Sequence, residues 1–101
     1  MTTRFTIAAQ LEFEEAREWY EGRSEGLGDR FVQTVREAVE KIEAMPNAWQ
    51  RLGGDARRYR LDGFPYDVAY AIRSDGIVIV AIGHLRRRLA YWRARLARRL
   101  P

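Results

Sequence analysis

A chain of 101 residues has the length of one domain, and with 47% hydrophobic residues it can bury roughly 65% of the surface of its unfolded form, which excludes a disordered or collagen-like chain. Cysteine is absent and His84 is the only histidine, so disulfides, thiol nucleophiles, thiolate metal sites and a zinc site with three nitrogen or sulfur ligands are excluded, and neither a metal nor a cofactor is expected. The net charge of +4 hides a polarised molecule, because residues 1–50 carry 6 basic and 10 acidic side chains whereas residues 51–101 carry 12 and 4.

Phe5 ends a very short first strand, and Thr6 follows as an N-cap whose hydroxyl can accept from the free N–H groups of a helix starting near Ile7. Ala9, Phe13, Ala16 and Tyr20 recur at intervals of four, three and four along one helical face. Glu12, Glu14, Glu15 and Glu18 lie off that face and read as a solvated one. Gly22 and residues 24–28 break the pattern. A second helix then carries Leu27, Phe31, Val35, Ala38 and Ile42, widened by Val32, Val39 and Met45, until Pro46 stops it. The few residues between the two helices predict an antiparallel hairpin.

Residues 47–55 show no periodicity, contain Gly53-Gly54, and are expected to form a loop with Trp49 against the core. Period 2 then takes over. Arg58 and Arg60 alternate with Arg57, Tyr59 and Leu61, and Asp62-Gly63 makes a turn. Tyr66, Val68, Tyr70 and Ile72 share one strand face, with Asp67, Ala69, Ala71 and Arg73 on the other. Ser74-Asp75-Gly76 connects a hairpin, and residues 77–82 are apolar throughout, as suits a central strand covered on both faces. From Leu85, steps of four, three, four and four through Leu89, Trp92, Leu96 and Leu100 predict a terminal amphipathic helix whose other positions are rich in arginine.

The expected fold class is therefore α+β: an N-terminal antiparallel helix hairpin packed on a small, mainly antiparallel sheet, with a basic C-terminal helix, in one domain over residues 1–101. No stretch has the make-up of a signal peptide or the ~20 apolar residues of a membrane span, so a cytoplasmic protein without membrane contact is expected.

Two familiar constellations fail. Gly26-Leu27-Gly28 opens like a dinucleotide loop, but Phe31 occupies the third glycine position. A Ser–His–Asp triad would need His84 with Ser24 or Ser74, both in turns. The basic half remains, and it points to an acidic partner, either nucleic acid or protein. Of its residues, Arg58 and Arg60 project from one strand face, roughly 7 Å apart. His84 ends the central strand and is either a proton donor or acceptor near neutral pH or a purely structural side chain. Arginine supplies 17 of the 18 basic residues; it grips phosphate or carboxylate bidentately, although a GC-rich genome produces the same bias. Arg57 and Arg58 would equally suit acidic residues of a partner or of the chain's own glutamate-rich helices. Tyr91 and Trp92 could stack on bases, but Trp92 falls on the apolar stripe.

Residues 16–31, Ala-Arg-Glu-Trp-Tyr-Glu-Gly-Arg-Ser-Glu-Gly-Leu-Gly-Asp-Arg-Phe, resemble the end of the first helix and start of the second in the RelE/ParE toxin superfamily. The resemblance continues through Pro46, Arg57-Arg58, Phe64-Pro65-Tyr66 and Ile82-Gly83-His84 to Arg87, Arg88, Tyr91-Trp92 and Arg95. Each motif is weak alone; the ordered set, from about Arg4 to Leu96, is more specific. It implies a toxin of a type II toxin–antitoxin pair, with the helix hairpin on an antiparallel sheet and a cognate antitoxin as partner in a hetero-oligomer. Trp19-Tyr20, Gly26-Leu27-Gly28 and Phe64-Pro65-Tyr66 resemble the ParE branch, which implies growth arrest through DNA gyrase and no catalytic residue. The RelE branch implies instead a ribosome-dependent mRNA endonuclease. Its members carry several lysines in the basic site, whereas the one lysine here, Lys41, lies on the second helix. On that alternative Arg58 or Arg60 would clamp phosphate, His84 would be the acid or base, and Tyr91 would stack on a base. A third possibility is a weakly toxic or inactive antitoxin-binding domain. For partner or phosphate binding the candidates are Arg57, Arg58, Arg60, Arg86, Arg87, Arg88 and Arg95.

Overall fold

The computed structural model describes residues 2–87 together with Tyr91, Trp92, Arg95 and Leu96. The chain runs β1 (Thr2–Phe5), α1 (Ile7–Arg23), α2 (Leu27–Ala44), β2 (Gln50–Gly53), β3 (Ala56–Arg60), β4 (Tyr66–Arg73) and β5 (Gly76–His84). The strands form one sheet in the order β1-β5-β4-β3-β2; β1 is parallel to β5 and every other pair is antiparallel. This is the α+β arrangement expected, with one strand more.

The extra strand corrects the loop expected over residues 47–55. Strand β2 lies at the sheet edge and, apart from half-buried Leu52, is exposed, so it has no buried face to impose an alternating pattern. Trp49 does pack against the core, edge-on to Tyr59 at 4.7 Å. Two further expectations change. Met45 lies just past the end of α2 and is 61% exposed rather than part of the apolar stripe. Leu85 belongs to a turn, its N–H donating to the Pro65 carbonyl at 2.9 Å, and not to a helix start. The rest of the expected C-terminal helix, with Arg88, lies largely outside the described residues.

The helices obey their local signals. Thr6 Oγ1 accepts from the Ala9 N–H at 3.1 Å, capping α1 as expected. Ala9, Ala16 and Tyr20 bury the predicted face, and α2 buries Phe31, Val35, Ala38 and Ile42. Tyr20, Phe31 and Phe64 meet in an aromatic cluster with ring centroids 4.9–5.3 Å apart, which clamps the Phe64–Tyr66 segment beneath the helix hairpin.

The α1–α2 turn depends on Glu21. Its carboxylate accepts from the N–H groups of Gly26 at 3.0 Å and Gly28 at 2.9 Å, satisfying donors at the start of α2 that no intrahelical acceptor reaches. Those two backbone bonds, aided by Arg17, hold the Glu21 pKa below its ordinary 4.5 against a smaller opposing effect of burial. At Gly28 an added Cβ would stand 2.9 Å from both the Arg17 carbonyl oxygen and Glu21 Oε1. The Gly26-Leu27-Gly28 motif is thus a close helix-to-helix approach.

Along β5 the alternation of faces is broken once. Ala69 pairs with Ala81 and Tyr70 with Ile79, leaving Val80 as an extra residue, a β-bulge. Ile77, Ile79 and Ile82 consequently face the helices, while Val78, Val80 and Ala81 face the opposite side. There Ala56, Ala69 and Ala81 form a shallow floor that the Trp92 indole covers, 4% exposed. The central strand is covered on both faces, and Trp92 is core.

Gly28→Ala should destabilise the protein by ~1–2 kcal/mol despite the better helix propensity of alanine, because the backbone of α1 must give way; a urea midpoint measures this. Because the folded Glu21 pKa is depressed, its contribution is present above the unfolded pKa and is lost as pH falls through the folded one. Glu21→Gln should therefore lower the melting temperature at neutral pH and flatten its acid-side decline, read by melting curves from neutral pH down through 4.5.

Candidate functional site

Strand β3 divides the candidate arginines between two faces. Arg58 and Arg60 project together on the side away from the helices, as their spacing predicts. Asp67 stands between them: Arg60 Nε reaches Oδ1 at 2.7 Å and Arg58 Nη1 reaches Oδ2 at 3.1 Å, with Arg58 Nε also donating to Gln50 Oε1 at 3.0 Å. The register explains the triad, since Arg60 and Asp67 are direct cross-strand partners and Arg58 is diagonal. Arg57 points the other way and donates to the Trp49 carbonyl at 2.8 Å. Near it the Tyr70 hydroxyl donates to the Pro46 carbonyl at 2.6 Å, and burial pushes its pKa up to about 12 against the pull of Arg57. Arg57 is thereby tied into the turn between α2 and β2.

A second node forms around Glu12, which is half-buried and not part of a solvated face; Glu14, Glu15 and Glu18 are exposed as expected. Its side chain, 12% exposed, receives Arg95 at 2.9 and 3.2 Å, the Tyr91 hydroxyl at 2.8 Å, Arg87 at 3.4 Å and the backbone N–H of Ile82 at 3.1 Å. Arg95 also donates to the Val80 carbonyl at 2.9 Å. Burial is the largest single influence on Arg95 and works against its charge, but the hydrogen bond and charge of Glu12 together with Tyr91 outweigh it, and the pKa is raised. For Tyr91, burial first and then the Glu12 carboxylate drive the pKa far above 10.0, so the phenol stays protonated. Gly83 makes room for it: a Cβ there would meet the Tyr91 hydroxyl at 2.6 Å.

Of the candidates, Arg58, His84, Arg87 and Tyr91 line one cleft on the sheet face, but its volume is ≈ 20 Å³. That admits about one water and no nucleotide. Arg60 lies outside it with its side chain 54% exposed, and Arg86 is exposed in the turn after β5. His84 Nδ1 accepts from the Arg86 N–H at 3.0 Å, and its ring stands edge-on to Tyr66 at 5.1 Å. The arrangement suits gripping an acidic surface through Arg60, Arg86 and Arg87. The two carboxylates nearest the arginines, Asp67 and Glu12, already hold two guanidiniums each, which leaves neither of them free to act as a base. Among the described residues no group of side chains that could hold a metal stands together, and no helix is long and apolar enough to cross a membrane.

Sequence reasoning missed Asp67 and Glu12 as organisers. Both had a signal. Asp67 and Arg60 flank the connection that contains Asp62-Gly63 and are centred between Gly63 and Phe64, and Glu12 is three residues after Ala9 and four before Ala16, on the border of the buried stripe. Glu12→Ala should cost about 2–3 kcal/mol, since it strands Arg95, the Tyr91 hydroxyl and the Ile82 N–H together. A phenolate absorbance titration of the same variant should show one tyrosine ionising closer to 10.0, where the unaltered protein shows none from Tyr91.

At the level of sequence no curated protein matches the chain. Its fold is similar to that of a solved chain described as the chromosomal ParDE TA system from P. aeruginosa, at 17% identity and a TM-score of 0.62, over 83% of this chain and 95% of that one. Residues 3–89 match the family described as the ParE toxin of the type II toxin–antitoxin system, parDE. With nearly the whole helix hairpin and sheet inside that match, the chain belongs to the ParE toxin family of type II toxin–antitoxin systems.

Proposed function

We propose that this toxin arrests growth by binding rather than by cutting, with DNA gyrase as its target and a cognate antitoxin as its neutralising partner. One observation carries the reading: the side chains that would serve RNA cleavage are already engaged with one another. Arg58 and Arg60 share Asp67, and the Tyr91 hydroxyl is committed to Glu12. Cleavage through the 2′-hydroxyl needs a base, an acid and free cations around a phosphate, whereas the one cleft that Arg58, His84 and Tyr91 share holds about one water. Membership of the ParE family supports the same choice.

In this reading the exposed guanidiniums of Arg60, Arg86 and Arg87 contact the acidic partner. Arg58 and Arg95 position the sheet end, and Arg57 holds the turn before β2. Arg88 belongs to the same basic run in sequence. The endonuclease reading keeps one observation in its favour, the convergence of Arg58, His84 and Tyr91 on one cleft.

Purified toxin at micromolar concentration should inhibit supercoiling by gyrase, and the double variant Arg60→Glu/Arg86→Glu should weaken inhibition about tenfold or more, as expected for two rim charges reversed. Transcripts from arrested cells should remain intact in 5′-end mapping. Undiminished supercoiling removes the gyrase target; new ends within translated codons replace the binding reading with the endonuclease.

A further inference from the structure

On the helix side of the His84 end of the sheet lies a separate groove of about 500 Å³, running between α1 and the Pro65–Tyr66 corner. Its depth comes from Ala16, 4% exposed, whose small side chain leaves a hollow on α1. Aromatic rings wall it. Trp19 is 53% exposed and stands edge-on to Tyr20 at 5.0 Å, while Tyr66 stands edge-on to His84 across the mouth. The Arg23 guanidinium stands over this indole, 4.2 Å from its ring centroid, and the half of the side chain that stays exposed lies beside the apolar hollow.

The polar groups at this mouth are held in place and keep donors to spare. Arg87 lies over the Tyr91 ring, 3.9 Å from its centroid, with its side chain 54% exposed. Its contact with Glu12, at 3.4 Å, is longer than either of the Arg95 contacts to the same carboxylate. A guanidinium has five N–H donors, so Arg87 retains several for a second carboxylate. His84 Nδ1 is occupied as an acceptor from the Arg86 N–H, which leaves Nε2 as the protonated nitrogen of the neutral ring and a further donor. Facing these donors from α1 is the exposed Glu15.

We propose that this groove docks a partner peptide that carries an aliphatic or aromatic anchor next to an aspartate or glutamate. The anchor enters between Trp19 and Tyr66, and the carboxylate takes Arg87 and His84. Charge complementarity selects a peptide over a nucleic acid: a strand with a phosphate at every nucleotide would also meet Glu15 and the acidic half of the chain, whereas a single carboxylate need not. That the peptide belongs to an antitoxin rests on the toxin reading above; the chemistry of the groove does not.

The test is a heteronuclear NMR titration of the full chain with the blocked peptide acetyl-Asp-Leu-Phe-Glu-Leu-amide, its counterpart with lysine at both acidic positions, and single-stranded hexauridylate. The acidic peptide should move the Trp19 indole and His84 resonances. Trp19→Ala, at a half-exposed position that leaves the core intact, and Arg87→Ser should each weaken binding about tenfold or more, with Arg87→Lys recovering part of the loss. Equal binding of the lysine peptide, movement of the same resonances by the oligonucleotide, unchanged affinity in both variants, or no shift at millimolar acidic peptide would each overturn the proposal. Absence of peptide binding with gyrase inhibition retained removes the groove and leaves the toxin reading, whereas peptide binding without gyrase inhibition supports the groove and removes the gyrase target.

Discussion

Strand β1 stops at Phe5, opposite Ile79, but β5 runs five residues further to His84. Over that stretch no strand among the described residues lies beside β5 on the β1 side, and unpartnered backbone groups within a folded protein cost about as much as lost hydrogen bonds. The Glu12 carboxylate answers for the Ile82 N–H and the Arg95 guanidinium for the Val80 carbonyl. Because Glu12 and Arg95 also bind each other, one ion pair closes the sheet, fixes α1 over it and brings Tyr91 and Arg87 to the His84 end. The placement of Arg87, Tyr91 and Arg95 follows from that closure.

Charge is used in the same way on the far face. Two guanidiniums share Asp67 as two share Glu12, so the basic half of the chain spends much of its charge internally. Half-buried pairs of this kind are weak contributors to net stability but strongly penalise arrangements that leave one member alone. They therefore specify register: a slip of β3 against β4 by one residue would part Arg60 from Asp67. Among the described residues of this half, Arg51 and Arg86 are exposed, and Arg60 and Arg87 keep exposed side chains beside their carboxylate partners.

The elements that bury one continuous face were legible from the residues. Stripes such as Ala9–Phe13–Ala16–Tyr20 and the unbroken apolar run of β5 carry their period because a buried face imposes it. Strand β2 was not legible, since an edge strand in solvent has no such face, and the bulge at Val80 changes sides without changing composition. The site was only half legible. Arg58 and Arg60 sharing a face follows from period 2 alone, whereas the carboxylates that hold the arginines depend on strand register and on the packing of α1, which become fixed only once the sheet exists. For the same reason the place of Trp19 was not legible in the sequence, because its role depends on the hollow left by Ala16.

The pairing of β1 with β5 also sets the order in which the molecule can be built. Thr2 meets Gly76 and Glu12 meets Ile82, Tyr91 and Arg95, so the start of the chain has its partners almost at the end. Contacts of such long sequence separation form late, after local helices and hairpins. During synthesis from the N-terminus, β1 and the helix hairpin emerge with nothing to close upon, and the sheet end that carries the candidate surface comes into being only when the last strand is free of the ribosome. The sheet end at His84 is thus assembled only after both β5 and the Tyr91–Arg95 segment can reach Glu12.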